Sequence, residues 1–217
     1  MTSITADFVS EQLSICDELL LRRGQLVRPR DLPGRYGRAI QAIDHVLNAM
    51  CCEAVLAGGW AVWYHGFLGR MTQDIDIVLP ALRIEEFQKV CSVSGFEMLA
   101  QNPGRWPKVR HKETDIKVDI LPEGGRPGTA ARPAPTTIPS PASLGASAGA
   151  LEYIRFSSLI ELKVAAGRAR DEADIVELVR AHPERVEEVQ KHLASVHPDY
   201  VAAFNHLLER AREQQDE

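Results

Sequence analysis

Between Arg35 and Met50 the apolar residues Ile40, Ile43, Val46, Leu47 and Met50 recur at three- and four-residue steps, which predicts an amphipathic helix. An earlier stretch, from about Asp7 to Arg23, carries Phe8, Leu13, Ile15, Leu19 and Leu20 among polar residues and predicts another. Pro29, Pro33 and Gly34 mark the loop between them. The period then changes. Glu53 to Ala57 is a short apolar run ending at Gly58-Gly59, read as a buried strand, with a short helix over Trp60 to Phe67. Asp74 to Leu79 alternates and stops at Pro80, so it is read as a strand. Ile84 to Val93 is read as a helix closed by Gly95. Phe96 to Ala100 and Lys108 to His111 are weaker strand candidates, and Thr114 to Leu121 alternates up to Pro122.

From Glu123 to Gly149, Gly, Pro, Ala, Ser and Thr dominate and acidic residues vanish after Glu123, which predicts a long loop or partly disordered linker. The rest, from about Phe156 to Arg212, is read as helical. Ser158 and Glu161 have the spacing of a capping box, and Asp171 is placed to cap the following helix. Pro183 and Pro198 each stand at a first-turn position. The expected fold is α+β: N-terminal helices and an α/β core over residues 1–122, with a small mixed sheet flanked by helices, then a Pro/Gly/Ala/Ser-rich loop over 123–150 and a C-terminal helical unit over 151–217.

Composition narrows the class. The 217 residues are 45% hydrophobic and 25% charged, which excludes a mostly disordered or fibrous chain. The formal net charge of −5 excludes a whole-protein basic field, so any nucleic-acid contact must rest on a local patch. Cys16, Cys51, Cys52 and Cys91 match neither a zinc pattern nor a disulfide framework and are expected to be small buried apolar residues in a reducing cytoplasm. The first residues have no basic and apolar regions of a signal peptide. The apolar stretch from Ala54 to Leu68 falls short of the roughly 20 residues that span a bilayer. The expectation is a cytoplasmic protein with no membrane partner.

The most informative chemistry lies in Asp74-Ile75-Asp76-Ile77-Val78-Leu79. On a strand Asp74 and Asp76 share one face and Ile75 and Ile77 the other. Two carboxylates that close repel, a cost that a divalent cation removes; the alternative is an edge strand with one wet face. In Asp115-Ile116-Lys117-Val118-Asp119-Ile120 the polar residues again share a face. If that strand lies beside the first, Asp119 supplies a third carboxylate, with Asp115 as the alternative. Asp119 is preferred because it sits deeper in the apolar run and because Lys117 can pair with Asp115. Such a trio suits two Mg²⁺ ions about 3.5–4 Å apart and in-line phosphoryl transfer. Gly58-Gly59 at a strand-to-helix turn is either an anion cradle or a tight packing turn. Arg70 and Thr72 lie between the glycines and the acids, and Arg70 is either a phosphate contact or a surface arginine.

Gly58-Gly59-Trp60-Ala61, His65-Gly66, Arg70, Thr72 and Asp74-Ile75-Asp76-Ile77, with a later strand acid, resemble the catalytic core of the polymerase-β type nucleotidyltransferase superfamily. Leu159 to Ala166 with Lys163, then Arg170-Asp171 and Asp174, is similar to the AbiEii-type toxin branch, and the resemblance covers about residues 36 to 180. It implies that Asp74, Asp76 and Asp119 hold metal, that Gly58 and Gly59 cradle a nucleoside triphosphate, and that Arg70, Thr72 and Lys163 also contact it. Arg170, Asp171 and Asp174 would touch the acceptor or fix nearby basic side chains. The chain departs from the family in its Gly-Gly, where Gly-Ser is common, and in the short spacing from Lys163 to Asp171.

The expected activity is metal-dependent transfer of a nucleoside monophosphate from a nucleoside triphosphate, with ATP among the candidates, to a hydroxyl acceptor on tRNA or other RNA, protein or a small molecule. The resemblance implies a toxin–antitoxin or phage-defence role with an antitoxin partner. A D-x-D sugar-nucleotide glycosyltransferase and a non-catalytic nucleotide-binding module of the same fold are the alternatives. Lys163 lies beside Leu159, Leu162 and Ala166, so snorkelling from an apolar stripe is its other reading. Trp106 is either a base-stacking residue or a packing one.

Overall fold

A computed structural model describes residues 4–21, 28–100 and 105–213. The strands are β1 (Ala54–Ala57), β2 (Asp74–Leu79), β3 (Phe96–Met98), β4 (Lys108–His111), β5 (Ile116–Pro122) and β6 (Leu151–Tyr153). The helices are α1 (Ala6–Leu21), α2 (Gly34–Met50), α3 (Gly58–Tyr64), α4 (Ile84–Val93), α5 (Pro141–Leu144), α6 (Phe156–Ala166), α7 (Ala169–Ala181), α8 (Val186–Val196) and α9 (Pro198–Glu213). The fold is α+β, with one mixed sheet in the order β3-β4-β5-β2-β1-β6 and a helical C-terminal part. β2 pairs antiparallel with β1 and parallel with β5; β6 joins the far side of β1 in parallel.

The two sheet faces differ in kind. Ile75, Ile77 and Leu79 of β2 and Ile116, Val118 and Ile120 of β5 point into one core, filled by Ile40, Ile43 and Leu47 of α2, Phe87 of α4 and Trp60 of α3. The opposite face is split along its length. Val55 and Val78 pack beneath Leu159 and Ile160 of α6 in a second core, which continues through α7, α8 and α9. The other half of that face carries Asp74, Asp76 and Asp119. One sheet therefore serves as the wall of two cores and as the floor of a polar cleft.

The helices of the sequence reading form, with boundaries shifted by a few residues; the outer end of the first, at Arg23, lies outside the described residues. Four local expectations are corrected. Asp115 is not on the β5 face: it has a left-handed backbone (φ 58°) in the turn after β4, a conformation that Asp tolerates. Ser158 and Glu161 do not cap α6, because the helix begins at Phe156; Glu161 lies inside it and accepts from His192 Nε2 at 2.6 Å. Asp171 does not cap α7, since Arg168 precedes the helix and Asp171 already lies in its first turn. The stretch 123–149 is not a loose linker. It contains α5, its Ala134, Ile138 and Leu144 are buried in the second core, and the Ile138 backbone closes hydrogen bonds of 2.8 and 2.9 Å with Gly125 and Gly124.

Strand β6 was absent from the sequence reading; it ties the start of the C-terminal segment into the sheet. All four cysteines are free, but only Cys52 and Cys91 are buried as expected; Cys16 is half-buried, and Cys51 is exposed in the left-handed turn that ends α2. Among the described residues no helix is long and apolar enough to cross a membrane.

Ile138→Ala is expected to lower the unfolding free energy by about 2–4 kcal/mol in urea denaturation, the cost of an emptied core site. A change below about 0.5 kcal/mol would show that the segment is a detachable linker after all.

Candidate active site

The register of the sheet creates the site. Asp76 of β2 stands opposite Asp119 of β5 on one side and Ala57 of β1 on the other. Asp119 in turn stands opposite Lys108 of β4. Cross-strand partners share a face, so Ala57, Asp76, Asp119 and Lys108 form one row across the sheet. Asp74 is two residues from Asp76 on the same face, opposite Lys117.

Gly58 follows Ala57 at the end of this row. Its φ is +60°, and a Cβ there would lie 1.8 Å from Oδ2 of Asp76. Only glycine lets the chain turn from β1 into α3 this close to the carboxylate. Gly59 performs the same service for Thr72, whose Oγ1 would lie 1.9 Å from an added Cβ. Thr72 is buried, with its N–H donating to Gln12 Oε1 and its carbonyl accepting from the Tyr36 hydroxyl, both at 3.0 Å. Its place is in the packing beneath the glycine turn.

A cleft of about 430 Å³ opens over the row. Gly58, Asp76, Asp119 and Lys108 lie along its floor, and Leu159, Leu162, Lys163 and Ala166 of α6 form one wall. Arg105, Trp106 and Pro107, with residues 126–129 of the Gly/Pro-rich segment, form the other. Of the expected site residues, Gly58, Asp76, Asp119, Lys163 and Asp171 line this cleft; Asp74, Gly59, Arg70, Thr72, Arg170 and Asp174 do not. Asp115 points elsewhere, 75% exposed and paired with Arg110 at 3.2 Å rather than with Lys117.

An ionic network joins α6 to α7 and reaches the cleft through Lys163, Arg168 and Asp171. Lys163 is only 5% exposed, and its Nζ donates to Asp174 at 2.6 Å and to Asp171 at 3.3 Å. Arg168 donates to Asp171 at 2.5 Å, and Arg70 pairs with Asp174. Arg170 donates to the Met71 carbonyl. Burial alone would push the Asp171 carboxyl up, but the hydrogen bonds from Arg168 and the charge of Lys163 outweigh it and hold it below its ordinary value. Lys163 is thus neither a snorkelling surface residue nor a free cation. Through Arg70 and Arg170 the network also fastens α7 to the loop that leads into β2.

The acids of the row are treated differently. Among the described residues, neither Asp74 nor Asp76 has a hydrogen-bond or ion-pair partner. Burial first, then the charges of Asp74 and Asp119, raise the Asp76 carboxyl to about 7, with Lys163 and Arg168 pulling the other way. A divalent cation would remove that repulsion, so the donor set suits a hard, oxygen-seeking ion. The trio is not a closed cage, however. Asp119 Oδ2 accepts from Lys108 Nζ at 2.5 Å, and among the described residues no three carboxylate, imidazole or thiol groups stand together as a ready metal site.

The sequence reading missed Lys108, Arg105 and Arg126 as cleft residues. A signal for Lys108 was present: a four-residue turn over 112–115 between two strands fixes the pairing of residue 111 with 116, and hence of 108 with 119. Arg105 and Arg126 lie in irregular segments, where no periodicity places them.

A scan of protein families and a search of curated proteins each find no match. Two solved structures are similar in fold, each 14% identical with a TM-score of 0.41. One is the crystal structure of ANT(2")-Ia in complex with adenylyl-2"-tobramycin, covering 80% of this chain and 97% of that one. The other is the solution structure of the antibiotic-resistance factor ANT(2'')-Ia, covering 82% of this chain and 94% of that one. At this level the likeness says nothing of what the chain acts on.

Two outcomes follow from these charges. The folded protein holds a proton on Asp76 up to about pH 7, whereas an unfolded aspartate releases it near pH 4. In metal-chelating buffer Asp76 therefore contributes a loss of stability as pH rises from about 4 to 7, set against the gain from His65, whose burial lowers its imidazole to about 4. Asp76→Asn should become progressively more stable relative to the parent across that window in thermal denaturation, and equal slopes would contradict the assignment. Lys163→Met should cost about 3 kcal/mol of stability by leaving two buried carboxylates short of a cation, and a loss under about 1 kcal/mol would show the network to be dispensable.

Proposed function

We propose that the chain is a nucleotidyltransferase that moves a nucleoside monophosphate from a nucleoside triphosphate to a hydroxyl acceptor. The observation that carries this reading is the contrast between two acid clusters. Asp171 and Asp174 are neutralised by Lys163, Arg168 and Arg70, while Asp76 in the cleft and Asp74 two residues before it on the same face of β2 have no partner among the described residues. A fold that can neutralise buried carboxylates and leaves two unneutralised beside a cleft has a use for their charge.

Asp74, Asp76 and Asp119 would hold magnesium, which when bound neutralises phosphate charge and stabilises the leaving oxygen. The remaining roles belong to the chain itself. Gly58 keeps the floor beside Asp76 open to a polyanion, since any side chain there would strike the carboxylate. Arg105 and Arg126, on the opposite wall, offer charge to the triphosphate, and Trp106 offers a ring face to the base. The acceptor oxygen forms a bond to the α-phosphorus as the bond to the β-phosphate oxygen breaks, and pyrophosphate leaves with the electron pair. The hydroxyl proton passes to Asp119, whose side chain is 22% exposed and therefore open to an acceptor in the cleft. Lys163 acts one step back, by holding Asp171 at the cleft wall.

The acceptor class remains RNA, protein or a small molecule, and the toxin role with an antitoxin partner is the narrowest form of this reading. It is motivated by the order of Lys163, Arg170, Asp171 and Asp174 in the chain.

The test is incubation with α-labelled nucleoside triphosphates and Mg²⁺ against pooled RNA, protein and small molecules, followed by mass spectrometry of the labelled products. Asp76→Asn should reduce transfer by at least about a thousandfold while its circular dichroism stays that of the parent. Transfer at the parental rate would reject the assignment. Labelled sugar nucleotides in a parallel arm separate the glycosyltransferase alternative.

A further inference from the structure

The row across the sheet ends in a feature that the catalytic reading does not use. Lys108 of β4 is the cross-strand partner of Asp119, and Asp119 is the partner of Asp76. The Lys108 ammonium lies 2.5 Å from Asp119 Oδ2, and both side chains line the cleft. Lys108 is 45% exposed, so burial does not force it into this contact. Its neighbours on the strand lead elsewhere: Val109 is in the core, and Arg110 binds Glu97 and Asp115.

We propose that Lys108 is a built-in competitor for the metal position, an ammonium that neutralises Asp119 and keeps the three acids from closing on a divalent cation until one displaces it. The inference rests on the reading of Asp74, Asp76 and Asp119 as the metal-holding set. A carboxylate offers about four lone-pair sites and Lys108 takes one of them, on Oδ2, so a metal ion on Asp119 either displaces the ammonium or binds beside it against its positive charge. Whatever cation binds between Asp76 and Asp119 must exchange with Nζ or work against its charge. The contact involves only the outer acid of the row. Asp76, which has no such counter-ion, keeps the electrostatic demand for a cation. Lys108 then sets how much free metal the protein needs before it loads.

The test is Mn²⁺ binding followed by electron paramagnetic resonance, without nucleotide and without turnover, on the full chain. Lys108→Met keeps the length of the side chain and removes its charge. It should bind Mn²⁺ about three- to fivefold more tightly than the parent, the size expected for loss of one half-exposed charge contact. Lys108→Arg keeps the charge and should bind as the parent does. If the parent binds Mn²⁺, loses it in Asp76→Asn, and Lys108→Met binds no more tightly, the role of Lys108 is overturned while the metal reading stands. If neither the parent nor Lys108→Met binds Mn²⁺, the metal reading fails and this inference fails with it.

Discussion

The structure depends on one pairing, the parallel register of β2 with β5. It is non-local, with a helix and two further strands between the partners, and it sets Asp76 directly across from Asp119. A slip of one residue would turn either carboxylate into the apolar core. The register is therefore held by the same side chains that fill that core. Ile75 and Ile77 alternate with the acids on β2, and Val118 and Ile120 flank Asp119 on β5. Because the two periods are locked together, the hydrophobic effect that folds the sheet also carries the cost of gathering like charges on its other face.

That cost is managed in two ways within one molecule. Between α6 and α7 the acids Asp171 and Asp174 are paired with lysine and arginine, and the result joins the helical part to the loop before β2. On the floor of the cleft Asp76 has no partner among the described residues and its carboxyl is pushed up, the electrostatic demand on which the proposed cation site rests. Lys108 stands between these cases. It pairs with the outer acid in a contact exposed enough to exchange.

Much of this was legible in the chain. The alternation of Asp74 to Leu79 gave both the strand and the shared face of its acids, and the stripe of α2 followed from spacing alone. The glycine pair was recognisable as a turn, although its reason, the approach of Asp76 and Thr72, needed three dimensions. What could not be read is what depends on packing at a distance. Residues 123–149 look like a linker because Gly and Pro erase periodicity, yet Ile138 and Leu144 are anchored in a core made by helices much later in the chain. Strand β6 is too short to show alternation. Lys163 on an apolar stripe resembles a snorkelling residue until Asp171 and Asp174 of the next helix are folded against it. Asp115 fell off its strand because a tight turn required a left-handed residue.

The central claim is that the Asp74, Asp76 and Asp119 face of the sheet binds a divalent cation together with a triphosphate in the cleft above it. The most direct measurement is a crystal structure of the protein with Mn²⁺ and a non-hydrolysable nucleoside triphosphate, read by the anomalous signal of the metal. The account predicts a peak between Asp76 and Asp119, at about 2.2 Å from carboxylate oxygens, with the phosphates beside Gly58 and the Lys108 ammonium displaced from Asp119. A metal or triphosphate bound elsewhere, with Asp76 still free of any ligand, would contradict it.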